Sequence, residues 1–274
     1  MKKFFKLVLA LVLVVVPATI LSGCHRSAVQ KNTVRIGLVG SDDEKIWHPI
    51  AKRLAKQGVH LKIVDFSDYT QPNQALQHHE TDVNSFQTYQ FLDNWNHAHH
   101  THFVSDGRTT IQPLGLYSKN VKNLKDLKKG STITLPNDSS NEARGLNLLK
   151  SAGLIKLKKA ALPSKADVYD NKKHLHLKPV NAAQTPRTLK DADAAIINAN
   201  FAVDANLKPK KAIYTEKMNR KIIPYINVIA STKSEKKRKA VRKVVRTYQS
   251  SANAKELKKF FHGSEVPAWK INFK

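Results

Sequence analysis

Apolar and polar positions divide the chain into three registers. Leu7 to Val16 is an unbroken apolar run, residues 25–33 are polar, and from Thr33 onward short β-branched runs alternate with stretches whose apolar residues recur at helical spacing. "TVRIGLVG" (33–40) predicts a strand. "DDEKIWHPIAKRLAKQG" (42–58) predicts a helix, with Ile46, Ile50 and Leu54 four apart, acids at its front and Gly58 as its stop. "VHLKIVDFSD" (59–68) is a second strand, and strand, helix, strand is the unit that builds a parallel sheet with helices on its faces.

The pattern repeats. Pro72–His79 predicts a short helix, Asp82–Phe86 a strand, Gln87–His97 a helix and "HFVSDG" (102–107) a strand. After "IQPLGLYS" (111–118) it restarts: "NLKDLKKG" (123–130) reads as a short helix, "STITLPND" (131–138) as a strand, and "SSNEARGLNLLKSAG" (139–153) as a helix with a serine or asparagine cap, Glu142 placed to complete it and Gly153 ending it. "HLHLKPV" (174–180), "TPRTLKDA" (185–192), "DAAIINAN" (193–200) and "FAVDANL" (201–207) continue the alternation, and "YINVIAST" (225–232) precedes two basic helices. Two such units joined near 108–118 and 220–230 predict an α/β, two-lobed clamshell, with mixed sheets flanked by helices and a ligand cleft between the lobes. Residues 34–115 would begin the first lobe, 116–224 form the second and 225–274 return to the first.

The front of the chain changes the setting of this fold. Lys2, Lys3 and Lys6, the apolar run and the small residues up to Gly23 have the layout of an export signal, and the run is short for a bilayer span. Leu21-Ser22-Gly23-Cys24 resembles the bacterial lipobox. That resemblance implies a signal peptide over 1–23, cleavage before Cys24, diacylglycerol on its thiol, acylation of the new amino terminus, and a tether over 24–33. Several acyl chains hold a protein far better than one, so the mature chain is expected on the outer face of the cytoplasmic membrane. Cys24 is the single cysteine, which leaves no structural disulfide or thiolate metal site for the mature fold.

The formal charge is +26, and residues 1–23 hold three of the lysines, so the remainder carries about +23. Such a balance suggests nucleic acid, but export argues against it and the cations are spread along the chain. In "KSEKKRKAVRKVVR" (233–246), Val241, Val244 and Val245 are spaced as the buried stripe of a helix whose other faces are charged, a solvated surface suited to anionic lipid or cell wall. Enzyme motifs are missing: the chain has no Gly-x-Ser-x-Gly elbow, phosphate loop, dinucleotide fingerprint or His-Glu-x-x-His pair, so neither catalysis nor a cofactor is expected. His97, His99, His100 and His102 are the best metal candidates. They follow a helix with no carboxylate at close spacing and read as a solvated loop, although a transition-metal receptor remains a competing class.

Several strings resemble the NlpA/MetQ family of substrate-binding lipoproteins of ABC importers: "DFSDYTQPNQAL" (65–76), "TDVNSFQTYQFLDNWN" (81–96), the run from Ile111 to Lys158, "LKDADAAIINANFAVDANL" (189–207) and "YINVIAS" (225–231). The resemblance spans Val34 to Trp269. It implies a periplasmic-binding-protein clamshell, an amino-acid ligand, most simply L-methionine or a derivative, and transmembrane permease subunits as partners. It also implies that Tyr69, Phe86 and Phe91 are pocket aromatics, that Arg144 grips the ligand carboxylate, and that Asn198, Asn200 and Asn227 surround the head group. Where the methionine-binding pattern reads "FQHLPYLD" this chain reads "FQTYQFLD", placing Thr88 for histidine and Phe91 for tyrosine. The side-chain compartment is therefore expected to be larger or less polar, admitting another apolar amino acid or a short peptide.

The residue types suit that chemistry. An arginine fork matches a planar carboxylate, and Arg144 falls early in its predicted helix, near free backbone N–H groups. Asn198 and Asn200, two apart at the end of an apolar strand, would share one face. Tyr69 and Phe86 read as ligand contacts offering area, soft sulfur contacts and faces for an ammonium, with a place in the core as the alternative for each. A basic surface adhesin is the remaining competing class.

Overall fold

The computed structural model describes residues 31–261 and 265–272; the export signal and Cys24 lie outside them. β1 (Thr33–Val39) and β2 (His60–Phe66) pair in parallel over their whole length, Thr33 opposite His60 and Val39 opposite Phe66. Between them runs α1 (Ser41–Ala55), whose Ile46, Trp47, Ile50 and Leu54 are buried. The helical spacing thus delivers one apolar stripe to the sheet, each such side chain contributing about 1.5–3 kcal/mol.

α2 (Gln71–Gln77), β3 (Val83–Thr88), α3 (Tyr89–His99) and β4 (Val104–Ile111) follow. The second unit comprises β5 (Gly115–Tyr117), β6 (Thr132–Pro136), α4 (Ser139–Ser151), the antiparallel pair β7 (Lys156–Leu157) and β8 (Val168–Asp170), β9 (His176–Val180), β10 (Ala194–Ile197), α5 (Ala199–Asp204) and β11 (Tyr214–Thr215). β12 (Ile226–Ser231), α6 (Lys233–Lys237), α7 (Lys239–Tyr248), α8 (Ser251–Phe261) and β13 (Val266–Pro267) complete the chain.

Two sheets result, one ordered β13-β4-β12-β3-β1-β2 and the other β11-β5-β10-β6-β9. Both are mixed: β12 runs antiparallel to β3 and β4, and β5 antiparallel to β10. The two-lobed α/β fold expected from the sequence is the fold observed. The chain passes between the sheets at 112–114 and again at 216–225. α7 buries Val241, Val244 and Tyr248 against the first lobe, where Tyr248 lies 4.8 Å from the Trp47 ring, and Val245 is half-buried.

Local differences have local causes. The helix expected over 123–130 is a single 3-10 turn, Leu124–Asp126, closed reciprocally by Asn123 and Asp126, and the chain is extended again by Leu127. The segment 185–192 likewise holds a 3-10 turn, Arg187–Lys190, and α3 begins at Tyr89 because Thr88 is its cap. The strand expected over 193–200 ends at Ile197, after which Asn198 stands at the N-cap position of α5.

A bulge in β4 exposes one further consequence of packing. Gly107 faces Ile229 and Ser105 faces Ala230, leaving Asp106 without an opposite residue. Burial pushes its carboxyl up to about 6, against the opposing pull of Ser231 and Lys236. A raised carboxyl favours the fold below its unfolded value near 4 and withdraws that contribution as pH climbs through 6. Asp106→Asn is therefore expected to melt a few degrees above the parent at pH 7.5 and level with it near pH 4, in thermal scans at the two pH values.

Candidate functional site

The C-terminal ends of the first-lobe strands supply one wall of a cavity between the lobes. Asp68 accepts from the backbone N–H of Thr70 and Gln71 at 2.7 and 3.0 Å, and this turn into α2 sets Tyr69 at the rim. Behind it, Asn73 and Gln87 exchange amide hydrogen bonds of 2.8 and 2.9 Å, and Asn84 donates to the Pro72 carbonyl at 2.7 Å. This buried network fixes β3 and with it Phe86 and Thr88. Thr88 caps α3, its hydroxyl accepting from the Phe91 N–H at 3.2 Å, so the hydroxyl is engaged by backbone and Phe91 is aimed inward. Tyr69, Phe86 and Phe91 form a triangle with ring centroids 5.7–6.0 Å apart.

The second lobe supplies the polar wall. Asp138 caps α4 and accepts from the Asn141 backbone N–H at 2.9 Å and from its amide at 3.0 Å. A carboxylate already occupies this helix start, so the free N–H groups expected for a ligand anion are taken. Burial pushes the Asp138 carboxyl up, opposed by its hydrogen bonds to Asn141. The chain of amides has only one consistent direction, because an ionised carboxylate can only accept. Asn141 must turn its NH2 to Asp138, leaving its oxygen to accept from Asn198 Nδ2 at 2.8 Å. Asn198 then presents Oδ1, a buried acceptor with no hydrogen-bond partner, at the cavity wall.

Arg144 is buried and sits differently from expectation. Its Nε and Nη2 donate to the two oxygens of Glu216 at 2.9 and 2.6 Å, Nη2 also reaches the Gln112 carbonyl at 2.8 Å, and the guanidinium lies 4.5 Å over the Tyr225 ring. Burial works against the charge, but Glu216 outweighs it and the pKa stands above the ordinary arginine value. The fork predicted to hold a ligand carboxylate bidentately is thus filled by Glu216. Nη1 is the guanidinium nitrogen left for a further anion.

Asn200 departs as well. It lies in the first turn of α5 rather than on the strand face shared with Asn198, because the helix starts at Ala199. Its Oδ1 accepts from the Tyr69 hydroxyl at 2.6 Å and its Nδ2 donates to the Val39 carbonyl at 3.1 Å, so it ties the second lobe to the first. Burial pushes the Tyr69 phenol well above its usual range, against the hydrogen bond to Asn200, keeping it a donor. Asn227, on β12 opposite Thr88, donates to the Thr110 carbonyl at 3.4 Å. Tyr69, Phe86, Thr88, Phe91, Arg144, Asn198, Asn200 and Asn227 all line the same cavity, about 30 Å³, together with Gln87, Gln112, Asn141 and Ala199. Both lobes wall it, so a ligand enters when they separate.

A second tie crosses the cleft. α1 starts from Gly40 at φ 99° with no side-chain cap of its own, and Asp204 of α5 accepts from the Ser41 N–H at 3.0 Å and its hydroxyl at 2.6 Å. A Cβ at Gly40 would stand 3.1 Å from the Asn200 Cβ, so glycine serves both the backbone angle and the approach of the lobes. Losing a helix cap costs about 1 kcal/mol, here only in the closed form. Asp204→Ala is accordingly expected to weaken apparent ligand affinity about five-fold and to enlarge the ligand-free molecule in small-angle scattering.

Sequence reasoning missed Glu216, Tyr225, Gln112, Asn141 and Asp204. Asn141 carried a signal, three residues before Arg144 on the same helix. Glu216, 72 positions from Arg144, carried none. The four histidines do not assemble: His99 stacks on Trp95, His100 ends α3 in a left-handed conformation, and no group of three or more metal-ligating side chains exists among the described residues. A groove of about 680 Å³ on the far side of Glu216 is larger than the interlobe cavity. It opens on lysines rather than on buried unpartnered groups.

Comparison with known proteins follows the same outline. A methionine-bound nutrient-binding protein from Burkholderia cenocepacia superposes with a TM-score of 0.82 at 42% identity, covering 86% of this chain and 99% of that one. The D-methionine-binding lipoprotein MetQ of Salmonella typhi is 35% identical over 256 residues, 91% of this chain and 93% of that protein. Lipoprotein 28 of Escherichia coli (strain K12) is 34% identical over 257 residues, with the same coverage. The NlpA lipoprotein profile matches residues 34–269, the span in which both lobes and the cavity lie, and the chain belongs to the NlpA lipoprotein family.

Proposed function

We propose that the interlobe cavity takes a free amino acid with an apolar side chain, methionine before others, and that the protein passes it unaltered to the permease subunits of an ABC importer. Its wider role is that of a lipid-anchored, extracytoplasmic solute-binding protein. The observation that carries the ligand class is the polarity of the cavity. Asn198, with its unpartnered Oδ1, and Arg144 line it from the second lobe, and the Tyr69, Phe86 and Phe91 rings from the first.

An ammonium needs an acceptor, which Asn198 offers, and a carboxylate needs a donor, which Arg144 offers. A thioether beside aromatic edges gains about 0.3–1.5 kcal/mol beyond its area. Arg144 is the one cation among the residues lining the cavity, so acidic amino acids lack a partner for their second carboxylate. The names of the Salmonella and Burkholderia relatives favour methionine in the same direction.

Thr88 and Phe91 support a second reading, in which a different apolar amino acid or a methionine-containing dipeptide binds as well. The Thr88 hydroxyl serves the α3 cap and Phe91 has no hydroxyl, so neither position polarises the side-chain compartment. Native mass spectrometry of protein purified without refolding, with identification of the released molecule, decides between them. Free methionine supports the first reading; a dipeptide or another amino acid replaces it. Release of a metal ion without an organic ligand would overturn both.

A further inference from the structure

We propose that the end of the first lobe remote from the cavity is a docking face for anionic phospholipid headgroups, which holds the receptor on the membrane with its cleft turned outward. The proposal rests on the lipid anchor at Cys24. Seven residue steps separate Cys24 from Lys31, a reach of at most about 25 Å. Where the described chain begins, Arg238 donates to the Lys31 and Thr33 carbonyls at 3.1 and 2.7 Å. Arg238 is the joint between α6 and α7, so the anchor emerges against these helices. Lys243 of α7 donates to the Gln57 carbonyl at 2.7 Å, just beyond the C-terminal end of α1.

Tether exit, end of α1 and the α6–α7 joint therefore share one end of the lobe, where β1 and β2 both start. The cavity lies at the other end of those strands, seven residues or about 20 Å away. Around the tether end, Lys56, Lys237, Lys239, Arg242, Lys243 and Arg246 are exposed. The acids of 233–261 are two, and both are engaged: Glu235 by Arg238, and Glu256 by Arg53 at 2.7 Å. Asp82 faces Arg35 and Arg238, which leaves Glu80, at the head of β3, as an exposed acid nearby. Apolar residues of α7 point into the core, so its cations are the outward side. A tether this short keeps that side close to the headgroups, where screening acts over about 8–10 Å at physiological salt.

The test uses the unlipidated chain from residue 25, which contains every described element, so acyl chains contribute nothing. Co-sedimentation with vesicles of phosphatidylcholine alone and of phosphatidylcholine with phosphatidylglycerol should show binding to the anionic vesicles at about 0.1 M salt and release as salt rises. Lys239→Glu, Arg242→Glu and Arg246→Glu combined should weaken it at least ten-fold, while Lys125→Glu, Lys128→Glu and Lys129→Glu on the second lobe should leave it unchanged. Melting temperature and methionine response of both variants, read in the same samples, separate misfolding or loss of the receptor site from loss of the face. No binding to anionic vesicles, or equal loss in the two triple variants, overturns the proposal. Binding to soluble polyphosphate without vesicle binding also overturns it and assigns the face to an anionic polymer.

Discussion

Arg144→Ala is expected to lower affinity for the cognate amino acid by two orders of magnitude or more and to lower the melting temperature with it. The binding loss follows from the charge-assisted hydrogen bond to the ligand carboxylate, worth about 1.5–3 kcal/mol, and from the missing charge in a buried wall. The stability loss has another source. Glu216 is half-buried and keeps the Leu114 N–H at 2.8 Å but loses its cation, and breaking one side of a fully buried pair costs about 3–5 kcal/mol, an upper bound for this one. The two effects separate in the double replacement of Arg144 and Glu216 by methionine, where an apolar pair of similar volume should recover much of the stability and none of the affinity. Calorimetric titration beside thermal unfolding of both proteins reads this out. Undiminished affinity in the alanine variant removes Arg144 from the site.

Asn198→Ala is expected to weaken methionine binding by about 10- to 100-fold, the range for losing a buried acceptor to a charged donor. The amide relay from Asp138 through Asn141 leaves the Asn198 oxygen as the group that meets the ligand ammonium. Part of the damage will be structural, since Asn141 loses a donor. A ligand without the amino group isolates the rest: for the des-amino analogue of methionine, the variant should lose only that structural share, a smaller fall than for methionine. An equal fall for both ligands in parallel titrations would place the Asn198 oxygen elsewhere than on the ammonium.

The fold was legible where its signals are local. The spacing of Ile46, Ile50 and Leu54 gave α1, and the "NDSSNEAR" string located α4, although its cap is Asp138 rather than the serine or asparagine expected, and Glu142 accepts from the Lys165 N–H instead of completing a cap. Turns were less legible, because three residues closed by Asn123 and Asp126 carry the same composition as a short helix. The eight nominated side chains reach one cavity, yet their partners were hidden. Asn200 reads as a strand-end amide until α5 is seen to start one residue earlier, and nothing near Arg144 announces Glu216. Periodicity records which face of an element is buried. It does not record which distant carboxylate shares the burial.

Arg144 and Glu216 also touch both passages between the lobes. Gln112 and Leu114, on the first, are bonded to Arg144 and to Glu216 respectively, while Glu216 and Tyr225 belong to the second. The one cation lining the interlobe cavity is therefore bonded to both segments that connect the lobes. At the proposed site, an anion bound by this guanidinium would share it with the two segments on which the lobes turn, so that the pivot and the ligand contact would be coupled.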